Sequence, residues 1–305
     1  MSNTATIYSI QESEAAHMLQ VEQVWPSSIG SEELPTGYTS IVPFTLNDDT
    51  YMLMYDKVAL RADVYLAKKG DTWMNFISSQ QLSGAFDIMA PFLLANNVHI
   101  LAYSTETGTF EFYQINQDVT LSAIYTYTQP YGDDATPGYT TVAPFTYRGS
   151  VYYLCYNFDT GKITVYQLSV PATKPLRTKN IFLHQWADGW TRFAFFQLGG
   201  ENFFLKTNIK YMHVNIDHIV DDPSKGSHPV CTHLDLSQDI DAVAPFYMGR
   251  GDPYFITYKR NGATTFNRFH GDCLGWTQEA SLSTVTDASI VVPFQVKNCQ
   301  YVLIY

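Results

Sequence analysis

Positive charge is what this sequence has least of. Lysine and arginine number 18 against 29 acidic residues, and charged residues of both signs make up only 15% of the chain. A net charge of −11 argues against nucleic-acid or anionic-membrane binding, which needs clustered lysine and arginine to replace phosphate counterions. Cysteine is scarce too: Cys155, Cys231, Cys273 and Cys299 lie far apart and form no C-x-x-C pair. They read as free, mostly buried thiols rather than as a disulfide framework or a zinc site. No apolar run approaches the ~18 residues of a membrane span, so no membrane insertion is expected. The opening "MSNTATIYSIQESEAAHMLQ" carries neither the basic nor the apolar region of a secretory signal, which makes a soluble cytoplasmic protein the expectation. Metal-protease, EF-hand and phosphate-loop motifs are missing, as is a nucleophile elbow. No cofactor, metal or catalytic residue is therefore assigned.

Aromatic residues are abundant instead. There are 22 Tyr, 19 Phe and 5 Trp in 305 residues, and 46% of the chain is apolar, enough to build a core. They are also periodic. The octet "GYTSIVPF" (37 to 44) returns as "GYTTVAPF" (138 to 145) and as "GWTRFAFF" (189 to 196). Its last two residues recur as Pro43-Phe44, Pro91-Phe92, Pro144-Phe145, Phe195-Phe196, Pro245-Phe246 and Pro293-Phe294, at spacings of 48, 53, 51, 50 and 48. Eleven residues after the Phe comes Tyr55, Tyr103, Tyr156 or Tyr305, with Tyr258 one residue late and Thr207 the exception. Ten residues further a second Tyr follows in three units, as Tyr65, Tyr113 and Tyr166, with Gly108 and Gly161 as turn residues between.

Each unit reads as short strands joined by polar turns, the second strand apolar on both faces as when neighbours cover both. Six such units of about 50 residues indicate an all-β, six-bladed β-propeller of four-stranded antiparallel blades. The last unit stops after its second strand, at Tyr305, whereas the N-terminus offers "TIYSI", which matches third-strand wording. Residues 5 to 10 are expected to complete the last blade, with Tyr8 at the third-strand Tyr position, closing the ring and making 1–305 a single domain. Pro fits an innermost strand, whose free edge needs no N–H, and the Phe is expected to wedge between blades.

The start of the octet supplies candidate ligand-binding residues. Five residues before the Pro position stand Tyr38, Phe86, Tyr139, Trp190, Ile240 and Ala288, followed by Thr39, Asp87, Thr140, Thr191, Asp241 and Ser289. The short polar side chains could simply cap the loop through backbone hydrogen bonds. An aromatic ring beside a short polar group also suits sugars, which stack C–H faces on rings and need a few oriented hydroxyl partners. Tyr38, Thr39, Phe86, Asp87, Tyr139, Thr140, Trp190, Thr191 and Asp241 are thus candidates. So are Trp25, Trp73, Trp186 and Trp276 before the octets, and Arg192, able to donate a forked pair of bonds. The loop "HQWADGW" (184 to 190) marks its blade as the first choice. "TLNDDT" and "YGDDATPG" read as turns, while "SVPATKPLRTKN" (169 to 180) and "IVDDPSKGSHPV" (219 to 230) read as solvated loops.

The wording G-W/Y-T-x-h-x-P-F … Y-h-L-h-Y … G resembles the tandem-repeat propeller lectins of fungi and bacteria, of the tectonin-like and fucose-lectin-like types. The resemblance implies a non-catalytic, multivalent lectin of defence or recognition, binding glycans or glycoconjugates in pockets between adjacent blades, with repeated sites adding avidity. A homodimer is compatible with it. The fucose-binding lectins repeat a sugar-holding Arg on the second strand and a Glu on the third. Here "YMLMY" and "VYYLCY" lack that Arg. The alternatives are a sialidase-like propeller hydrolase, which needs clustered carboxylates, and a protein-interaction propeller.

Overall fold

The computed structural model describes residues 5–13, 18–26, 34–70, 73–128, 138–169, 176–208, 210–211, 213–219, 222–232, 240–249 and 251–305. Residues 131–137 of "YGDDATPG", residues 170–175 of the basic insert and residues 220–221 of "IVDDPSKGSHPV" lie outside them.

Six four-stranded antiparallel sheets form the ring. The first blade comprises β3 (Ser40–Leu46), β4 (Asp49–Asp56), β5 (Arg61–Ala67) and β6 (Met74–Gln81). The second comprises β7 (Ile88–Leu94), β8 (Asn97–Ser104), β9 (Thr109–Ile115) and β10 (Leu121–Thr128). The third comprises β11 (Thr141–Tyr147), β12 (Ser150–Tyr156), β13 (Lys162–Ser169) and β14 (Arg177–Gln185). The fourth comprises β15 (Trp190–Leu198), β16 (Glu201–Asn208), β17 (His213–Ile219) and β18 (Ser227–Cys231). The fifth comprises β19 (Ala242–Met248), β20 (Asp252–Tyr258), β21 (Ala263–Phe269) and β22 (Trp276–Ser283). The sixth is shared between the chain ends: β23 (Val291–Val296) and β24 (Cys299–Ile304), then β1 (Thr6–Glu12) and β2 (Leu19–Trp25).

The expected closure is observed, with Tyr8 opposite Val302 as Tyr65 is opposite Met52. The N-terminal segment supplies the outer strand β2 as well as the third strand. Two segments read as loops are partly strand: Arg177–Asn180 begins β14, and Ser227–Val230 lies in β18. Pairing with β13 and β17 gives their backbone groups partners that polarity alone does not reveal. "TLNDDT" is a turn, as expected: Asn47 and Asp48 take φ of 51° and 66°, the two left-handed residues of a tight hairpin matched to strand twist.

The repeated Phe is the wedge. Phe44, Phe92, Phe145, Phe196, Phe246 and Phe294 each belong to a different one of six apolar clusters, one per blade junction. Each also faces a ring across the strand pair: Tyr51, His99, Tyr152, Phe203, Tyr254 and Tyr301, with centroids 5.3 to 5.6 Å apart. The five Pro lie on the innermost strands, whose outer edge pairs with no strand.

The conserved spacing of the second-strand Tyr has a separate purpose. Tyr55 donates to Gly84 O (2.7 Å) and accepts from Phe86 N (3.3 Å) in the next blade. Tyr156 bonds Ala187 O (2.7 Å) and Trp190 N (3.2 Å), and Tyr258 bonds Val285 O (3.0 Å) and Ala288 N (2.8 Å). Tyr305 bonds Pro35 O (2.9 Å) and Tyr38 N (3.2 Å), while Tyr103 accepts from Gly138 N and Tyr139 N, both at 3.2 Å. Five junctions are therefore stapled by one buried phenol each, satisfying octet backbone groups that burial would otherwise strand. At the junction of the fourth and fifth blades Thr207 stands in the Tyr position, opposite Thr191.

Candidate functional site

The octet residues turn inward. Tyr38, Phe86, Tyr139 and Trp190 are only 4%, 2%, 1% and 7% exposed, packed between their blade and the preceding one. Tyr38 donates to Asp63 (2.7 Å) and lies 3.1 Å from the Tyr65 hydroxyl; Tyr139 donates to Thr164 (2.8 Å). Burial and these neighbours push the Tyr38 hydroxyl far above the usual phenol range. With both faces covered, these four rings present no surface on which a sugar could stack, which corrects the expectation made for them. Trp25 and Trp73 are buried as well, in the cluster between the sixth and first blades.

The short polar side chains follow the capping alternative. Thr39 donates to Tyr55 O (3.2 Å), Thr140 to Tyr156 O (3.3 Å), Thr191 to Thr207 O (3.3 Å) and Ser289 to Tyr305 O (3.5 Å). Asp87 accepts from Thr105 N (2.8 Å) and Asp241 from Arg260 N (2.8 Å), each the second residue past the strand Tyr. Asp87 also pairs with Lys57, and these bonds outweigh its partial desolvation to hold its pKa below the usual value. The sixfold polar position thus fastens the end of the second strand to the innermost one.

Trp186 and Trp276 are half-buried and Arg192 is exposed. Trp186 is committed to its own blade: the Lys206 ammonium lies 3.8 Å from its ring centroid and 4.5 Å from that of Trp190. Lys206 pairs with Asp217 at 2.8 Å, both deeply buried, and desolvation lowers its pKa against the pull of that carboxylate. Trp276 meets Phe255 edge-on at 5.4 Å.

A cavity lies elsewhere, at the opposite end of the strands, where each innermost strand turns into the second. A groove of about 680 Å³ opens between the fifth and sixth blades. Its apolar lining includes the half-buried Pro245 and Pro293, whereas the bordering rings of Phe246, Phe294 and Tyr301 are buried, the last two in the cluster toward the first blade. Strand alternation places Gln295, Gln300 and Glu12 on the sixth blade's face toward the fifth. Gln11, Asn298 and Ser9 add polar groups along the same rim. Gln300 spends its amide N–H groups on Phe294 O (3.0 Å) and Tyr301 O (3.2 Å). The side chains of Gln11, Glu12, Gln295 and Asn298 are exposed and form no hydrogen bond with any described residue. Gly249, at φ 52°, keeps the fifth-blade wall low: a Cβ there would come 3.4 Å from Glu12 Oε1.

Position for position, three blades carry a polar pair here: the first with Thr45 and Thr50, the fourth and the sixth. Where the sixth blade pairs Gln295 with Gln300, the second pairs Leu93 with Val98 and the third pairs Thr146 with Val151. The fourth blade also has amides there, but Gln197 and Asn202 bond each other at 2.9 Å. Reading the repeat for its Pro-Phe and Tyr landmarks passed over this groove, which lies at the other end of the strands from the octet. Among the described residues, no group of three or more His, Cys, Asp or Glu is placed to hold a metal ion.

No family model matches the chain, and no curated protein sequence matches it. Solved structures do. The chain is similar to a candidate 6-phosphogluconolactonase of Bacteroides fragilis, with TM-score 0.55 and 12% identity over 98% of this chain and 87% of that one. It is similar to a Lactobacillus plantarum protein, with TM-score 0.55 and 9% identity over 93% and 97% of the two chains. It is also similar to an exo-β-1,3-galactanase of Phanerochaete chrysosporium solved with β-1,3-galactotriose, with TM-score 0.52 and 10% identity over 88% of this chain and 67% of that one. At such identities the likeness is one of fold alone: a propeller.

Proposed function

We propose that this protein is a non-catalytic carbohydrate-binding propeller, a lectin, with its main sugar site in the groove between the fifth and sixth blades. The observation that carries the reading is the set of amide and carboxylate groups left without internal partners beside the half-buried rings of Pro245 and Pro293, in a groove of about 680 Å³. Sugars ask for that pairing: planar acceptors and donors for hydroxyls, and an apolar face for ring C–H groups. The hydrolase alternative calls for two carboxyl groups flanking the scissile bond, and among the described residues the groove lining carries one carboxylate, Glu12. Multivalency is not required by this site, because the matching amides of the fourth blade bond each other.

A glycan array followed by calorimetry tests the reading. A hit should weaken at least tenfold in Glu12→Gln combined with Gln295→Ala, at unchanged Tm, since both residues are exposed. Absence of any binder at high protein concentration, or a hit indifferent to both substitutions, would overturn it. Turnover of a chromogenic glycoside panel would favour the hydrolase instead.

A further inference from the structure

A second cavity, of about 310 Å³, lies on the fifth blade at the same end of the strands as the groove. Cross-strand register shows how the two meet. Met248 lines the groove, and its partner Asp252 lines the cavity. Phe246 of the groove, Tyr254, and then Arg268 and Thr277 of the cavity form one row across β19, β20, β21 and β22. Paired residues share a face, and Phe246, Met248 and Tyr254 pack in the cluster between the fifth and sixth blades, so the row faces the sixth blade. With neighbouring strands ~4.8 Å apart, the cavity continues the groove outward along the fifth blade. Leu198 of the fourth blade, Pro253 and Phe269 complete its lining. Its polar groups are only partly spent. Arg268 donates through Nη2 to Asp252 at 2.7 Å, both side chains being about half exposed, and its other N–H groups bond no described residue. His270 and Thr277 bond each other at 3.0 Å. Glu279 is half-buried and forms no hydrogen bond or ion pair with any described residue. Burial above all pushes the Tyr254 hydroxyl up to about 12; the charge of Arg268 opposes this, and Glu12, Glu279 and Asp252 add to it, so carboxylates of both cavities surround one phenol.

We infer that this cavity is an outer subsite of the groove and that the ligand is a neutral oligosaccharide, one sugar lying in the groove and the next in the cavity, bonded there by Arg268 and Glu279. The inference rests on the sugar reading of the groove. Arg268 offers donors and Glu279 acceptors, and a hydroxyl group matches both because it accepts and donates. A ligand group of either charge would meet one of the two with like sign, so the pair selects neutral residues. Linking two sugars makes the second binding step intramolecular, which raises the affinity of the longer chain above that of its parts.

A glycan array carrying the mono- and trisaccharides of glucose, galactose, mannose and N-acetylglucosamine, with calorimetry of the hits on the full chain, tests this. In at least one series the trisaccharide should bind at least tenfold more tightly than its monosaccharide. Glu279→Gln with Arg268→Ala should remove that advantage while monosaccharide affinity and Tm hold, since neither side chain belongs to the core. Glu279→Gln alone, which keeps the shape and loses the charge, should remove part of it. Glu12→Gln with Gln295→Ala should weaken mono- and trisaccharide alike. Monosaccharide binding with no trisaccharide advantage, or an advantage that survives Glu279→Gln with Arg268→Ala, would overturn the subsite and leave the groove reading intact. A larger gain for trimers of glucuronate or glucosamine than for neutral ones would overturn the selectivity argued from the charge pair. Silence of every series would overturn the subsite together with the reading it rests on.

Discussion

Replacing Tyr258 by Phe removes one oxygen atom and should measure what a blade staple contributes. The ring stays and the apolar packing is unchanged, so the effect isolates two hydrogen bonds, to Val285 O at 3.0 Å and from Ala288 N at 2.8 Å. Ala288 is buried, so its N–H loses its partner with no water to replace it. A stranded buried donor costs about 1–3 kcal/mol, and a lost bond whose acceptor can be rehydrated about 1 kcal/mol. The expected loss is about 2–3 kcal/mol. With unfolding entropy of about 2.1 cal/mol/K per residue over 305 residues, that lowers Tm by roughly 3–5 °C. Thermal unfolding followed by circular dichroism, with urea titration as a second axis, reads it out. Tyr152→Phe is the matched control, because its hydroxyl bonds no described residue while its ring stacks on Phe145 at 5.5 Å. That control should move Tm by less than about 1 °C, as a partnerless hydroxyl contributes little. Equal Tm shifts in the two variants would refute the staple argument, because the phenol oxygen would then be doing nothing between blades.

Lys206→Met should be costly, at about 3–5 kcal/mol, because Asp217 is left as an uncompensated charge in a buried site. Replacing both, as Lys206→Met with Asp217→Leu, should restore most of that stability in urea titrations; failure of the double variant to recover would show that the contacts of Lys206 with Trp186 and Trp190 matter more than the ion pair. Stability should also fall above pH 10. Burial pushes the Tyr156 hydroxyl up to about 12 from an ordinary value of 10.0. The folded state therefore holds a proton that the unfolded chain has lost, and stabilisation fully present below pH 10 disappears as pH rises through 12. Tyrosinate absorbance should lag in folded protein and appear together with unfolding; a Tm flat between pH 9.5 and 11.5 would contradict this.

Much of the molecule was legible in one dimension because a propeller repeats one local unit. Pro-Phe, the second-strand Tyr and the hairpin turns are set by spacing within about 25 residues, and each blade packs only on its neighbours. Even the ring closure could be read, since "TIYSI" carries the pattern of the strand missing after Tyr305. The function of the octet aromatics could not. Sequence pattern marks a ring beside a hydroxyl, but in a stack of blades both faces of a strand are covered. Whether Tyr38 or Tyr139 meets solvent is decided by the adjacent blade, and the adjacent blade buries them. The second-strand Tyr was visible as a spacing, while its task of holding the next octet's backbone required the distance between blades.

What the sequence determined alone is therefore whatever recurs: six units, their strand order and the wedge between them. The tertiary structure decided what does not recur, because such features join residues remote in the chain. Glu12 lies beside Gly249 across a junction that brings the first strand against the fifth blade, and Lys57 reaches Asp87 only when two blades are set side by side. Both depend on contacts across the ring, which local pattern and spacing do not encode.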